Sequence, residues 1–371
     1  MKPTILSIFG TRPEAVKMAP VLKALEKQAN SATSIVCFTG QHREMVMPIL
    51  DLFQIQPDYD LDVMRPDQSL AGLTARLLDG LDPIVREIQP DWILAQGDTT
   101  TVMVSALVAY YHQRRFGHIE AGLRTDDKYR PFPEEGNRLI ADRMADLCFA
   151  PTETARQRLL QENIPDKRIL VTGNTVVDAL LEISDRPYTS PNPALQQVNE
   201  GKRLVLVTAH RRESFGEPFR QLCEALIEIA RKFEDVVLVY PVHLNPNVQK
   251  PVYEMLSRVD NIVLQEPLAY PDLIQMMRHA SLIMTDSGGI QEEAPTFKVP
   301  LLVMRDTTER PEGVEAGVAR LVGTNKDRIV AEASRILSDP DAAKQMQGEN
   351  PYGDGQAAQR IVEYLLRGAH D

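Results

Sequence analysis

Short apolar runs alternate along this chain with longer segments in which apolar residues recur every three or four positions. The runs at 5–9, 34–39, 92–95, 116–119, 147–150 and 169–171 have the length and continuity of strands buried on both faces. Between them, residues 70–88 carry a helical apolar stripe that Pro90 ends, and the segment after Arg12 turns Ala15, Met18, Ala19, Leu22 and Leu25 to one side. Residues 184–202 lose this periodicity and gain Pro, Ser and Asn, which marks a linker. The alternation then restarts, with runs at 204–208, 236–240, 262–264, 281–284 and 301–304 and a last helix near 356–366. Such alternation predicts an α/β protein with two doubly wound sheets. The expected domains are 1–183 and 203–355, joined by 184–202, with 356–371 crossing back onto the first.

Composition narrows the class. At 371 residues and 41.6 kDa the chain exceeds one ordinary core. No window is apolar for long enough to span a membrane, and the first residues run straight into a strand with no cleavage pattern, so the cytoplasm is the expected location. Cys37, Cys148 and Cys223 are far apart in mostly apolar surroundings and read as buried free thiols. His210 and His243 lack Cys or carboxylate neighbours at ligand spacing, so neither a metal nor a cofactor is expected. A net charge of −11 disfavours nucleic acid and anionic membranes as partners. An anionic substrate would need its own local cluster of Arg and Lys.

Such clusters follow the strand ends, where doubly wound sheets bind ligands. The turn Asp286-Ser287-Gly288-Gly289 leads from a strand into a helix, with Ser287 as a suitable N-cap. Gly288 and Gly289 leave backbone N–H groups open to a phosphate. Glu293, about a turn and a half further on, is placed to accept from a ribose diol, and Pro295 limits the helix. At the start of the chain, Gly10-Thr11-Arg12-Pro13-Glu14 offers Arg12, with Lys17 one turn later and Glu14 complementing the helix dipole. Asp98, Glu120 and Glu134 also follow strand ends. Three carboxylates and two cations are therefore expected on one face.

The ordered motifs Gly10-Thr11-Arg12-Pro13-Glu14, Gln96-Gly97-Asp98, His118-Ile119-Glu120-Ala121-Gly122-Leu123-Arg124, Pro133-Glu134-Glu135, His210-Arg211-Arg212-Glu213 and Asp286-Ser287-Gly288-Gly289-Ile290-Gln291-Glu292-Glu293 resemble the bacterial non-hydrolysing UDP-N-acetylglucosamine 2-epimerases. The resemblance covers essentially the whole chain. It implies two Rossmann-like domains of the glycosyltransferase B type with the active site in the interdomain cleft, and a cytoplasmic homodimer supplying UDP-N-acetylmannosamine for surface polysaccharides. By the same resemblance, Ser287, Gly288 and Gly289 hold the diphosphate and Glu293 the ribose, with Arg12 and His210 also on the nucleotide. Lys17, Asp98, Glu120, Glu134, Arg138 and His210 match positions associated with catalysis or sugar binding.

Family members are often activated by a second UDP-N-acetylglucosamine, and Gln41, His42, Gln68, Arg211 and His243 match that second site. Two departures stand out: Glu44 replaces a common Gln, and Asp67 lies where Arg is common. Both bring negative charge toward a presumed diphosphate, so altered or lost activation is expected unless the two side chains turn outward. Three other activities remain open at this point. A hydrolysing 2-epimerase usually shows Gly-Thr-Arg-Ala-Asp near its start, unlike Gly10 to Glu14 here. An epimerase for a diacetamido uronic acid sugar nucleotide and a glycosyltransferase B enzyme are the others.

Overall fold

The central strands of the first sheet are built from residues that have almost no solvent side to face. The structure, a computed structural model, describes residues 2–367. β1 (Thr4–Phe9), β2 (Thr33–Phe38), β3 (Tyr59–Asp60), β4 (Trp92–Gln96), β5 (Arg115–Ile119), β6 (Leu147–Ala150) and β7 (Ile169–Val171) form one parallel sheet in the order β3-β2-β1-β4-β5-β6-β7. Ile5, Leu6, Ile8, Ile93, Leu94 and Phe149 have no exposed surface, because helices cover both faces. The Thr100–Tyr111 helix has few large side chains; Val102, Ala106 and Ala109 let it lie deep in this unit.

The second sheet contains β8 (Arg203–Thr208), β9 (Val236–Pro241), β10 (Ile262–Gln265), β11 (Ala280–Thr285), β12 (Leu301–Val303) and β13 (Ala319–Leu321). Its order is β10-β9-β8-β11-β12-β13, again parallel throughout. Its core gathers Val205, Leu226, Leu238, Met284 and Ile329. In both sheets the first six strands follow the doubly wound Rossmann order, whose direction reverses between β1 and β4 and between β8 and β11. In such sheets ligands bind outside the strand ends at these reversal points. The fold class expected from the alternation of apolar runs is thus the one observed.

The chain divides into two units, one of residues up to Ala179 together with those from Gly353 onward, the other Leu180–Tyr352. The division falls inside the Thr175–Ser184 helix. Residues 184–202, expected as a linker, belong to the second unit and include the Pro193–Asn199 helix. Local polar contacts hold them there: the Tyr188 hydroxyl donates to Asp272 at 2.8 Å, and the Asn192 amide to Gln265 at 2.8 Å. In the first unit the Ala357–Arg367 helix packs on the Arg12–Lys27 helix, burying Ile361, Val362 and Leu365. Its N-terminus is held by Asp178, whose carboxylate accepts from the Ala358 N–H at 2.8 Å.

Candidate active site

In the first unit, the turns after β1, β4 and β5 meet at the β1–β4 switch point. Gly10 is required there by close approach, because a Cβ on it would lie 2.0 Å from Thr39 Oγ1. Glu14, read from sequence as a dipole partner, has a second role. It is buried, and its carboxylate accepts from the Gly10 and Thr11 N–H groups at 2.7 and 2.8 Å and from the Thr99 hydroxyl. Burial pushes its pKa up, with these hydrogen bonds opposing. Glu14 thus shapes the loop that presents Arg12, which starts the helix half-buried.

Glu120 sits just beyond β5 with φ of 68°, in the left-handed region that non-glycine residues seldom adopt. Its side chain is nearly buried and paired with Lys17. The Asn174 amide donates to it at 2.9 Å, and so does the Gln96 amide. One carboxylate is thereby fixed by a cation and two amides. Asp98 receives the Arg138 guanidinium on its carboxylate and the Asn137 amide on its carbonyl at 3.0 Å. Arg138 also lies 3.2 Å from Glu135. Glu134 opens the Glu134–Met144 helix, with one carboxylate oxygen buried and lacking a hydrogen-bond partner. The structure therefore brings Lys17 together with Glu120 and Asp98 together with Arg138. Gly97 joins the two pairs: it precedes Asp98, and a Cβ on it would lie 3.8 Å from Glu120 Oε2.

In the second unit, the turns after β8 and β11 meet at the β8–β11 switch point. Asp286, almost fully buried, accepts from the His210 and Arg211 N–H groups, both at 2.7 Å, and so ties the two loops together. Its other oxygen lies 3.6 Å from His210 Nδ1 and has no hydrogen-bond partner. The His210 ring stacks on His243 with centroids 5.2 Å apart. Burial lowers the His210 pKa, His243 and Arg211 add to this, and Asp286 opposes it.

Ser287 occupies the N-cap position of the Gly288–Glu293 helix, but its side chain makes no capping bond, a correction to the sequence reading. Pro295 limits the helix as expected, and the chain continues as a 3-10 turn at Ala294–Phe297. Glu293 is its last residue and is buried, while Glu292 pairs with Arg310 at 2.9 Å. The Arg310 guanidinium lies against Gly288, where a Cβ would come within 3.1 Å of Cζ. Gly289 is open, with only Ser287 Oγ near its Cβ position, at 3.8 Å. Arg310 was not singled out from sequence, and Asp286 was named there only as part of the turn; both shape the glycine turn through contacts that only the fold creates.

Of the residues matched to a second ligand, Gln41 accepts from Thr101 at 3.2 Å, and Gln68 accepts from Arg76. His42 precedes the Arg43–Phe53 helix, and burial lowers its pKa. Arg211 and His243 lie in the second unit beside Asp286 and His210. Glu44 and Asp67 are both exposed, Asp67 in the left-handed region with φ of 50°. The three cysteines are buried and free. Among the described residues, no group of three or more His, Cys, Asp or Glu is arranged to hold a metal, and no helix is long and apolar enough to cross a membrane.

Comparisons with known proteins point to one family. The family model described as UDP-N-acetylglucosamine 2-epimerase matches residues 23–366. The UDP-N-acetylglucosamine 2-epimerase of Yersinia pestis is 54% identical over 368 residues, covering 97% of this chain and 98% of that protein. The enzyme of that name from Bacillus subtilis (strain 168) is 49% identical over 363 residues, covering 98% and 94%. The crystal structure of UDP-GlcNAc 2-epimerase from Neisseria meningitidis bound to UDP-GlcNAc is 44% identical and superposes with a TM-score of 0.89, covering 98% of this chain and 100% of that one.

Proposed function

The chain belongs to the UDP-N-acetylglucosamine 2-epimerase family, and from that premise we propose that it interconverts UDP-N-acetylglucosamine and UDP-N-acetylmannosamine without hydrolysis. The proton at C2 is not acidified by a carbonyl, so direct abstraction would be slow. UDP leaves first: the C1–O bond breaks with its electrons on the diphosphate, and the oxocarbenium character left at C1 acidifies C2–H. A carboxylate takes that proton, and the C–H electrons form the C1=C2 bond of 2-acetamidoglucal. Protonation at C2 from the opposite face and re-addition of UDP at C1 give the epimer. Two faces require two acid–base groups, supplied in this reading from Asp98, Glu120 and Glu134.

The observation that carries this reading is the Lys17–Glu120 pair beside the Asp98–Arg138 pair, two carboxylates each held by a cation at one switch point. Arg138 and Lys17 also contribute positive charge for a departing diphosphate. Ser287, Gly288 and Gly289 take the diphosphate and Glu293 the ribose, with Arg12 and His210 on the nucleotide. The open backbone over Gly289 supports this assignment.

Three further parts of the reading are proposals of the same kind. The enzyme works in the cytoplasm and supplies surface polysaccharide synthesis. It forms a homodimer; Tyr110 and Tyr111, 64% and 63% exposed, and Ile140 and Met144, 39% and 37%, lie on two helices packed together, a suitable apolar face. A second UDP-N-acetylglucosamine binds as activator at Gln41, His42, Gln68, Arg211 and His243. Glu44 and Asp67, both exposed, would add negative charge near that site, so activation is altered or lost in this reading. The test is incubation of the purified chain with UDP-N-acetylglucosamine and separation of the products. UDP-N-acetylmannosamine without free sugar is expected, whereas free N-acetylmannosamine with UDP would mean a hydrolysing enzyme.

A further inference from the structure

Beneath the two candidate acid–base turns lies a charged group that the mechanism above does not use. His118, on β5, has no exposed surface, and each of its ring nitrogens faces an oxygen. Nε2 lies 2.6 Å from the Gly97 carbonyl, and Nδ1 lies 2.5 Å from Asp142 Oδ1. A carbonyl only accepts, so Nε2 carries a proton. The other Asp142 oxygen meets two donors, Arg124 at 2.7 Å and the Gly122 N–H at 3.2 Å. Asp142 is therefore ionised, and Nδ1 must donate to it as well. The ring has two donor positions and no acceptor position, which is the hydrogen-bonding pattern of an imidazolium.

The contacts of this ion pair reach both turns. Its histidine holds the carbonyl of Gly97, the residue before Asp98, and its aspartate holds the N–H of Gly122, two residues after Glu120. Glu120 has φ of 68°, a conformation that costs a non-glycine residue and persists only where its surroundings hold it, while Gly97 and Gly122, with φ of 87° and 90°, let their two turns approach the pair closely. Arg124 is itself anchored by Glu162 at 2.6 Å. The Cys148 thiol is the other titratable group against this pair, 3.8 Å from the Asp142 carbonyl, and burial keeps it protonated.

We propose that His118 is a positioning residue, held as an imidazolium by Asp142, that sets the spacing between the Asp98 and Glu120 turns. The inference rests on the reading of those two carboxylates as acid–base groups. Because the ring is cationic and fixed, it acts as a strut and not as a proton shuttle, so it does not exchange its protons during turnover. Loss of the strut lets the carboxylates drift relative to the sugar, which damages the chemical step more than binding.

The test combines two readouts on the full-length chain. With ring-15N-labelled histidine, one histidine should show both ring nitrogens protonated from about pH 6 to about pH 8, where an ordinary histidine loses a proton. Its peaks are assigned by their loss or displacement in His118→Gln or Asp142→Asn. An unprotonated ring nitrogen on His118 at neutral pH overturns the proposal, and this part needs no active variant. In the second readout, each variant that remains folded by circular dichroism is assayed well below its melting transition. The expected result is a kcat lowered about 100-fold, with KM and UDP affinity changed less than about threefold. A kcat within about threefold of wild type, or equal losses in kcat and UDP affinity, overturns it. If the wild type itself turns over no UDP-N-acetylglucosamine, the underlying functional reading has failed instead.

Discussion

Lys17 and Glu120 stand 103 residues apart in the chain and meet as a nearly buried ion pair above the first sheet. The ammonium and two amides hold the carboxylate in one orientation, which is what a base facing a single C–H bond requires. Glu120→Gln keeps the volume and most hydrogen bonds but removes the charge. It should lower kcat by about 100-fold or more, the usual range for a general acid–base group, and leave UDP affinity within about threefold. Steady-state kinetics with UDP titration calorimetry checks this. An unchanged kcat would remove Glu120 from the chemistry.

His210 offers a pH-dependent prediction. Burial lowers its pKa below the ordinary value of 6.5, so the native ring binds fewer protons than the unfolded one, and its contribution to stability is lost as pH falls below about 6.5. A diphosphate beside the ring would raise that pKa. UDP binding should therefore take up protons, and the wild type should gain more affinity than His210→Asn as pH drops from about 7.5 to about 6. Calorimetry in buffers of different ionisation enthalpy measures the uptake. Equal uptake in both proteins would place His210 away from the phosphates.

Two glycines should respond oppositely to alanine. Gly122 has φ of 90°, and a Cβ there would lie 2.4 Å from the Ala155 carbonyl oxygen. Gly122→Ala should destabilise the first unit by about 3 kcal/mol. Gly136 lies in the Glu134–Met144 helix with nothing within 4 Å of its Cβ position. Gly136→Ala should stabilise by about 0.5–1 kcal/mol through helix propensity. Denaturant melts of both variants check the pair.

The cap on the last helix titrates. Burial raises the Asp178 pKa from 3.8 to about 6, against the Ala357 and Ala358 N–H groups that lower it. A native acid with a raised pKa binds more protons than the unfolded chain between those values, so its contribution to stability falls as pH rises from about 4 to about 6. Asp178→Asn removes this titration, and its melting temperature should improve relative to wild type across that window. A constant difference between the two proteins would contradict the assignment.

The fold was legible because strands buried on both faces must be continuous apolar runs, and the runs named from sequence coincide with eleven of the observed strands. The exceptions were β3, of only two residues, and β13, whose apolar run is broken by the exposed Arg320. Sequence also separated helices from strands where amphipathic spacing was long, as in Leu70–Ile88. It did less well at Ser287, whose side chain was read as a cap for Gly288–Glu293 but makes no capping bond. Site residues that follow strand ends could be named because strand ends fix where they go. The second role of Glu14 and the roles of His118, Asp142 and Arg124 could not be read, since a buried charge is defined by partners that only topology supplies. The Thr99 hydroxyl on Glu14 comes from 85 residues away, and Asp142 on His118 from 24.

The central claim is reversible elimination of UDP with proton exchange at C2. Incubation with UDP-N-acetylglucosamine in D2O, followed by proton NMR, tests it most directly. The account predicts deuterium at C2 of both UDP-sugar epimers with little free sugar released. No exchange at C2, even after a trace of fresh UDP-N-acetylglucosamine is added as activator, would contradict it.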